Sequence, residues 1–104
     1  MKKFTDKINE STKRGVFIEP VASASDFLEF IDNNDFDFDG NEFFDKMDMW
    51  DEGMLSSRFS KDWCNKVING NAGEYWEKKR KYYPAILKLL EDYELDTIRF
   101  ACDW

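Results

Sequence analysis

The chain has 104 residues, with 15 lysines and arginines, 22 aspartates and glutamates, and no histidine. The absence of histidine excludes Ser-His and Cys-His catalytic pairs and histidine metal ligands. A net charge of −7 disfavours direct binding of nucleic acid, because that affinity comes mainly from neutralised phosphates.

The length fits one domain, and the patterns predict an α+β fold that is mostly helical. Residues 1–14 are polar and are predicted to form a frayed helix or a loose N-terminal arm. Val16–Ile18 are typical of a short strand that stops at Pro20. Ser25 is a suitable N-cap, and Phe27, Phe30 and Ile31 have the spacing of a helix over about 25–33.

The acidic run that follows alternates strictly with phenylalanine over Asp35–Asp39. In an extended chain this alternation places the carboxylates on one side and Phe36 and Phe38 on the other. A second amphipathic helix is predicted from Asn41 to about Gly53. Its apolar stripe consists of Phe43, Phe44, Met47, Trp50 and Met54.

The second half of the chain is predicted to contain two further helical regions and a strand. A third helix, capped by Ser56 or Ser57, runs to about Asn69, before a loop with two glycines. A fourth runs from about Glu74 to Tyr93 and is kinked or split at Pro84. The alternation over Thr97–Trp104 predicts a strand that pairs with Val16–Ile18. The evenly spaced tryptophans, Trp50, Trp63 and Trp76, are expected to be largely buried.

The two cysteines, Cys64 and Cys102, lie on apolar faces and are predicted to be free thiols of the core. The N-terminus lacks the apolar run of a signal peptide. No stretch approaches the ~20 apolar residues of a membrane span. The sequence therefore predicts a cytoplasmic protein, in the host cytoplasm if a phage encodes it.

The negative charge is concentrated in one third of the chain. Residues 21–53 carry eleven acidic groups and one basic group, whereas 1–20 have a net charge of +2 and 54–104 of +1. Interleaved aromatic residues indicate that this block folds, unlike a disordered acidic tail. We predict a carboxylate-rich binding face, anchored by Phe36 and Phe38. Its members, the acidic segment, are Asp32, Asp35, Asp37, Asp39, Glu42, Asp45, Asp48 and Glu52.

Part of the acidic segment is similar to the first half of an EF-hand calcium loop. Asp35, Asp37, Asp39 and Gly40 occupy positions 1, 3, 5 and 6 of that pattern. Position 12, which requires a bidentate glutamate, is Lys46, and a cation there repels calcium. No metal site is therefore predicted, and a loop that binds a divalent cation remains an alternative.

A basic run, Lys78–Lys81, is bracketed by tyrosines and a tryptophan, a pattern that can bind single-stranded nucleic acid. On a helix these four side chains point around most of the circumference and do not form one patch.

No nucleophile paired with a base is present, and no cofactor is predicted. We therefore expect a non-enzymatic inhibitor, a monomer or homodimer, that places its acidic face on the basic surface of a nucleic-acid-handling enzyme. Size and charge match DNA-mimic inhibitors of phage origin that block restriction or CRISPR defences, without any shared motif. Three alternatives remain: an immunity protein that neutralises a nuclease toxin, an EF-hand-like regulatory module, and a small RNA-binding or self-associating subunit.

Overall fold

In the computed structural model, which describes residues 8–10 and 20–103, a four-stranded sheet joins the two ends of the chain. Its spatial order is β1-β2-β4-β3; β2 and β4 are parallel and the other pairs antiparallel. The strands are β1 (Ile8–Glu10), β2 (Pro20–Ser23), β3 (Phe59–Ser60) and β4 (Thr97–Ala101). Strand β1 lies within the segment predicted to be a loose arm; the rest of 1–14 lies outside the described residues.

The predicted pairing between an N-terminal and the C-terminal strand is confirmed, but with different residues. Val16–Ile18 lie outside the described residues, and the strand that meets β4 is β2. Pro20 begins this strand instead of ending one, which is tolerated because a first residue can lack a ladder N–H. Strand β4 keeps the predicted alternation, with Ile98 and Phe100 fully buried.

About half of the described residues are helical, which is consistent with the predicted α+β fold. The helices are α1 (Ala24–Asp32), α2 (Gly40–Lys46), α3 (Lys61–Ile68), α4 (Glu74–Glu77) and α5 (Tyr83–Asp92), with a 3₁₀ turn at Arg80–Tyr82. The predicted fourth helix is split before Pro84, which lies in the first turn of α5, where its missing N–H costs no hydrogen bond. None of the helices within 20–103 has both the length and the apolar character needed to cross a bilayer.

Side-chain oxygens cap the first three helices. Ser23, Asp39 and Ser60 accept hydrogen bonds from N–H groups three residues further on. The N-caps predicted from the sequence were Ser25 for α1 and Ser56 or Ser57 for α3. Both predictions are wrong by a few residues. The hydroxyl of Ser25 donates instead to Asp103, at 2.6 Å. Ser56 is buried beside β4, where its hydroxyl accepts the N–H of Phe100 at 2.8 Å.

Helix α2 ends at Lys46, so the prediction of a helix reaching Gly53 is wrong. The N–H of Met49 donates to Phe44 O at 2.9 Å, across Asp48 in the left-handed conformation (φ 58°). This is a Schellman motif, normally marked by glycine at the left-handed position. Asp48 occupies this position, so no glycine in the sequence marks the end of α2. Beyond the turn, Trp50 no longer lies on the apolar stripe of the helix.

A Schellman motif also ends α5, with Glu94 in the left-handed conformation (φ 55°) and the N–H of Leu95 bonded to Leu90 O at 2.8 Å. We expect Glu94→Gly to raise the free energy of unfolding by about 0.5–1 kcal/mol, because glycine adopts this conformation without a steric cost. Urea denaturation measures the change. Glu91→Gly, three residues earlier inside the helix, is the control and should lower stability by a similar amount.

The core is built around Phe27. Its ring stacks on Phe100 at 4.4 Å and meets Phe43 and Phe44 edge-on at 5.2 and 6.1 Å. All four rings are fully buried. The predicted burial of the tryptophans is wrong for Trp50, which is 40% exposed, and only partly right for Trp63 and Trp76, which are half-buried.

Asp103 ties the end of β4 to the start of α1. Its carboxylate accepts hydrogen bonds from the Ser23 and Ser25 hydroxyls, both at 2.6 Å, and from the Ser25 N–H at 3.0 Å. Partial burial favours the neutral acid, but these bonds together outweigh it and lower the pKa of Asp103 to about 2.

We expect Asp103→Asn to cost about 1 kcal/mol of unfolding free energy near neutral pH, a modest amount because most of the side chain is exposed. A lowered folded-state pKa stabilises the fold above the unfolded pKa of 3.8, and this contribution disappears as pH falls toward 2. Urea titrations of both proteins at neutral and low pH test this, and a difference that stays constant would contradict it.

Candidate functional site

The acidic segment spans the end of α1, the loop to α2, α2 itself and the turn that follows. Seven of its eight members are exposed, and Glu42 is half-buried. Phe38 is buried and Phe36 half-buried, so the alternation of Asp35–Asp39 places carboxylates outward and rings inward, as predicted.

The two phenylalanine rings fix the loop on the domain. Phe36 stacks on Phe38 at 5.5 Å, and Phe38 meets Tyr82 edge-on at 4.9 Å. Phe38 also packs against Phe43 of α2, at 6.2 Å. Phe36 and Phe38, the predicted anchors, therefore fix the loop against Phe43 and Tyr82.

Hydrogen bonds hold two of the carboxylates at the start of α2. Asp32 accepts the N–H of Gly40 at 2.8 Å, and Asp39 accepts that of Glu42 at 2.8 Å. The partial positive charge of a helix start favours carboxylates at this place. Asp48 lies in the turn after α2 and Glu52 in the following loop, and no hydrogen bond or ion pair within the described residues links either of them to this group.

Glu42 differs from the rest because it is neutralised within the molecule. It forms a salt bridge with Lys81 at 3.0 Å and accepts the hydroxyl of Tyr82 at 2.8 Å. The bond from Lys81, followed by that from Tyr82, lowers the pKa of Glu42. In contrast, Asp35, Asp37 and Asp45 form no ion pair with any residue that the structure describes. The unneutralised charge therefore lies in the loop and on the outer face of α2.

Three side chains of the basic run, Lys78–Lys81, bond to other elements of the fold. Lys79 Nζ donates to Lys46 O at the end of α2, at 3.0 Å. Arg80 Nε donates to Ile68 O at the end of α3, at 2.7 Å, and Lys81 pairs with Glu42. Cations at helix C-termini stabilise the last carbonyls. The side chains point to different elements and form no single patch.

Asp35, Asp37 and Asp39 are not brought together as a group of metal ligands in the part of the chain that the structure describes. Among residues 8–10 and 20–103, no group of three cysteine, aspartate or glutamate side chains is placed to hold a metal ion. Asp39 is the N-cap of α2, and Gly40 lies against Leu28, so both have other roles than in an EF-hand loop.

Both cysteines are buried as free thiols, in agreement with the prediction. Burial raises the pKa of Cys64 to about 12, so this thiol stays protonated and unreactive at neutral pH. The thiol of Cys102 donates to Met49 O at 3.2 Å.

The sequence did not indicate a second surface feature, a groove of about 410 Å³. The turn after α2, residues 54–59 and the rings of Trp63, Trp76 and Tyr83 form its walls. Trp76 meets Trp63 at 5.2 Å and Tyr75 at 4.8 Å, both nearly perpendicular. Only the tertiary fold brings these distant segments together, and the amphipathic patterns had assigned the tryptophans to the core.

Comparison with known proteins gives no match to a protein-family model, to a curated protein or to a solved structure.

Proposed function

We propose that the protein is a non-enzymatic binding protein whose acidic segment docks on a basic surface of another protein. The observation that carries this proposal is the loop Asp35–Asp39, in which three exposed carboxylates alternate with inward-packed rings. A surface that only aided solubility would not need carboxylates on so firmly anchored a backbone. Such an array attracts lysine and arginine over a distance and accelerates association.

Preorganisation supports the same proposal. Binding by a disordered acidic tail loses affinity to the ordering of the chain. Here the stacked rings of Phe36 and Phe38 and the helix caps already fix the loop. The carboxylates that form no ion pair within the described residues are then available for ion pairs with a partner.

The partner class that fits is an enzyme with a basic groove for nucleic acid, because such a groove is built to contact closely spaced negative charges. The protein would then act in the cytoplasm as an inhibitor, either a phage-encoded inhibitor of a host nuclease or an immunity protein against a nuclease toxin. The buried thiols and the absence of histidine support a role without catalysis.

Charge reversal within the loop tests the proposal. We expect Asp35→Lys with Asp37→Lys to weaken partner binding at least a hundredfold, because repulsion replaces two attractions. Asp39 is left unchanged since it caps α2. The partner is captured from a lysate of the encoding cell and eluted with a salt gradient. Binding of the purified partner is then titrated, and its enzymatic activity is assayed with and without the protein.

Glu74→Lys with Glu91→Lys is the matched control, because it makes the same charge change at exposed positions of α4 and α5. This control should bind almost as the wild type does. Equal loss in both variants would show a general charge effect, and undiminished binding of the loop variant would refute the proposal. A melting temperature that rises strongly with calcium or magnesium would instead favour the cation-binding alternative.

A further inference from the structure

The loop that follows α3 begins with Asn69 and Gly70, and Asn69 alone among the asparagines of the chain precedes a glycine. Asn69 is exposed, and its side chain forms no hydrogen bond with any residue that the structure describes. The amide carbon of an asparagine and the backbone nitrogen of the next residue can close a five-membered ring. Glycine hinders this ring closure least, because it has no Cβ.

The backbone at this position is a Schellman motif with glycine in the left-handed conformation. Gly70 has φ 78° and donates its N–H to Val67 O at 3.0 Å, and the N–H of Asn71 donates to Lys66 O at 2.9 Å. Both bonds lie at the end of a helix, where backbone hydrogen bonds open at low cost. Opening the first bond frees the nitrogen of Gly70. Rotation about ψ of Asn69, which is 0° in the closed form, then brings that nitrogen to the amide.

We infer that Asn69 is a site of spontaneous deamidation. Hydroxide removes the proton of the Gly70 nitrogen, which attacks Cγ of Asn69. The Cγ–Nδ2 bond breaks, and the side-chain nitrogen takes a proton from water and leaves as ammonia. A second water opens the cyclic imide at either carbonyl, which leaves aspartate or isoaspartate at position 69. Either product adds one negative charge to a chain whose net charge is −7.

The neighbouring charges leave this reactivity nearly unchanged but are affected by its product. Glu77 of α4 and Arg80 of the 3₁₀ turn both lie beside Gly70 and pair with each other at 3.5 Å. Because their charges are opposite, their effects on the acidity of the Gly70 N–H largely offset each other. Isoaspartate lengthens the backbone by one carbon, so the Schellman bonds cannot both re-form. The end of α3 should then loosen at Ile68, whose carbonyl Arg80 binds at 2.7 Å.

Peptide mapping by mass spectrometry tests the inference on the purified full chain, incubated at physiological temperature and mildly alkaline pH. Trypsin cleaves after Lys66 and Lys78, so one peptide carries both Asn69 and Asn71. Asn71 is the internal control, because it is exposed in the same loop but precedes Ala72. We expect Asn69 to exchange its amide for an acid about tenfold faster than Asn71 does, a barrier difference of about 1.4 kcal/mol. Ammonia should be released in equal amount.

Two matched variants and an unfolded reference make the test specific. Asn69→Gln keeps an amide but requires a larger ring, so it should abolish the early mass gain, whereas Asn71→Gln should leave it unchanged. In guanidinium chloride the reaction should be faster, because the Gly70 N–H no longer donates to Val67 O. Circular dichroism checks that each variant is folded.

Three outcomes would overturn the inference: an intact Asn69 in the folded protein after the unfolded chain has reacted, equal rates at Asn69 and Asn71, or a mass gain that survives Asn69→Gln. Since the reaction uses no residue of the acidic segment, it can fail or succeed independently of the proposed function.

Discussion

Replacing Phe27 with alanine is expected to lower the free energy of unfolding by about 3–5 kcal/mol, the largest loss from any single substitution considered. Its ring is fully buried and contacts Phe100 of the sheet as well as Phe43 and Phe44 of α2. Removing it leaves a cavity where three elements meet, which the surroundings can fill only partly. Folded domains have a total stability of about 5–15 kcal/mol, so this one substitution removes a large fraction of it.

Urea denaturation followed by circular dichroism measures this loss, with two comparison variants. Phe27→Leu keeps most of the volume and should cost about 1 kcal/mol. Phe36→Ala removes the same kind of ring from a half-buried position on the loop and should cost less than half as much as Phe27→Ala. Similar losses at positions 27 and 36 would show that the core is not centred on Phe27.

Gly40→Ala is expected to lower stability by about 1–3 kcal/mol, although alanine is the better helix former. A Cβ at this position would lie 2.5 Å from Leu28 Cγ and 2.9 Å from Leu28 O. Helices α1 and α2 therefore have to separate, and the acidic loop between them moves. Asn41→Ala, at the next and exposed position of the same helix, should change stability by less than about 0.5 kcal/mol.

A double-mutant cycle identifies the physical cause. Leu28→Ala removes the side chain that meets the added Cβ but leaves the carbonyl oxygen in place. Combined with Gly40→Ala, it should recover part of the loss and not all of it. Strict additivity of the two changes would contradict a direct contact between the two positions.

The sequence predicted those elements whose signals are local. Helix α1 and the alternation of Asp35–Asp39 were visible because a spacing of apolar residues alone specifies the buried side. Strand β4 was found for the same reason. The split before Pro84 followed from the chemistry of one residue.

Other features were missed because their causes are not local. Helix α2 was predicted too long, since Asp48 adopts the left-handed conformation that usually calls for glycine. Strand β2 lacks a run of β-branched residues, and it is specified by its place between β1 and β4. Within the candidate site, the exposed carboxylates were predicted, but the pairing of Glu42 with Lys81 joins residues 39 positions apart.

The parallel pairing of β2 with β4 has a consequence for the order in which the protein folds. A nascent chain that ends at α5 has β2 without its central neighbour, and Ser23 without the carboxylate bonded to it from 80 residues further along. Contacts so distant in sequence form late, because the intervening chain must first be ordered. The sheet can therefore be completed only after residues 97–103 have been synthesised. Until then, the acidic loop is part of a domain whose sheet is incomplete.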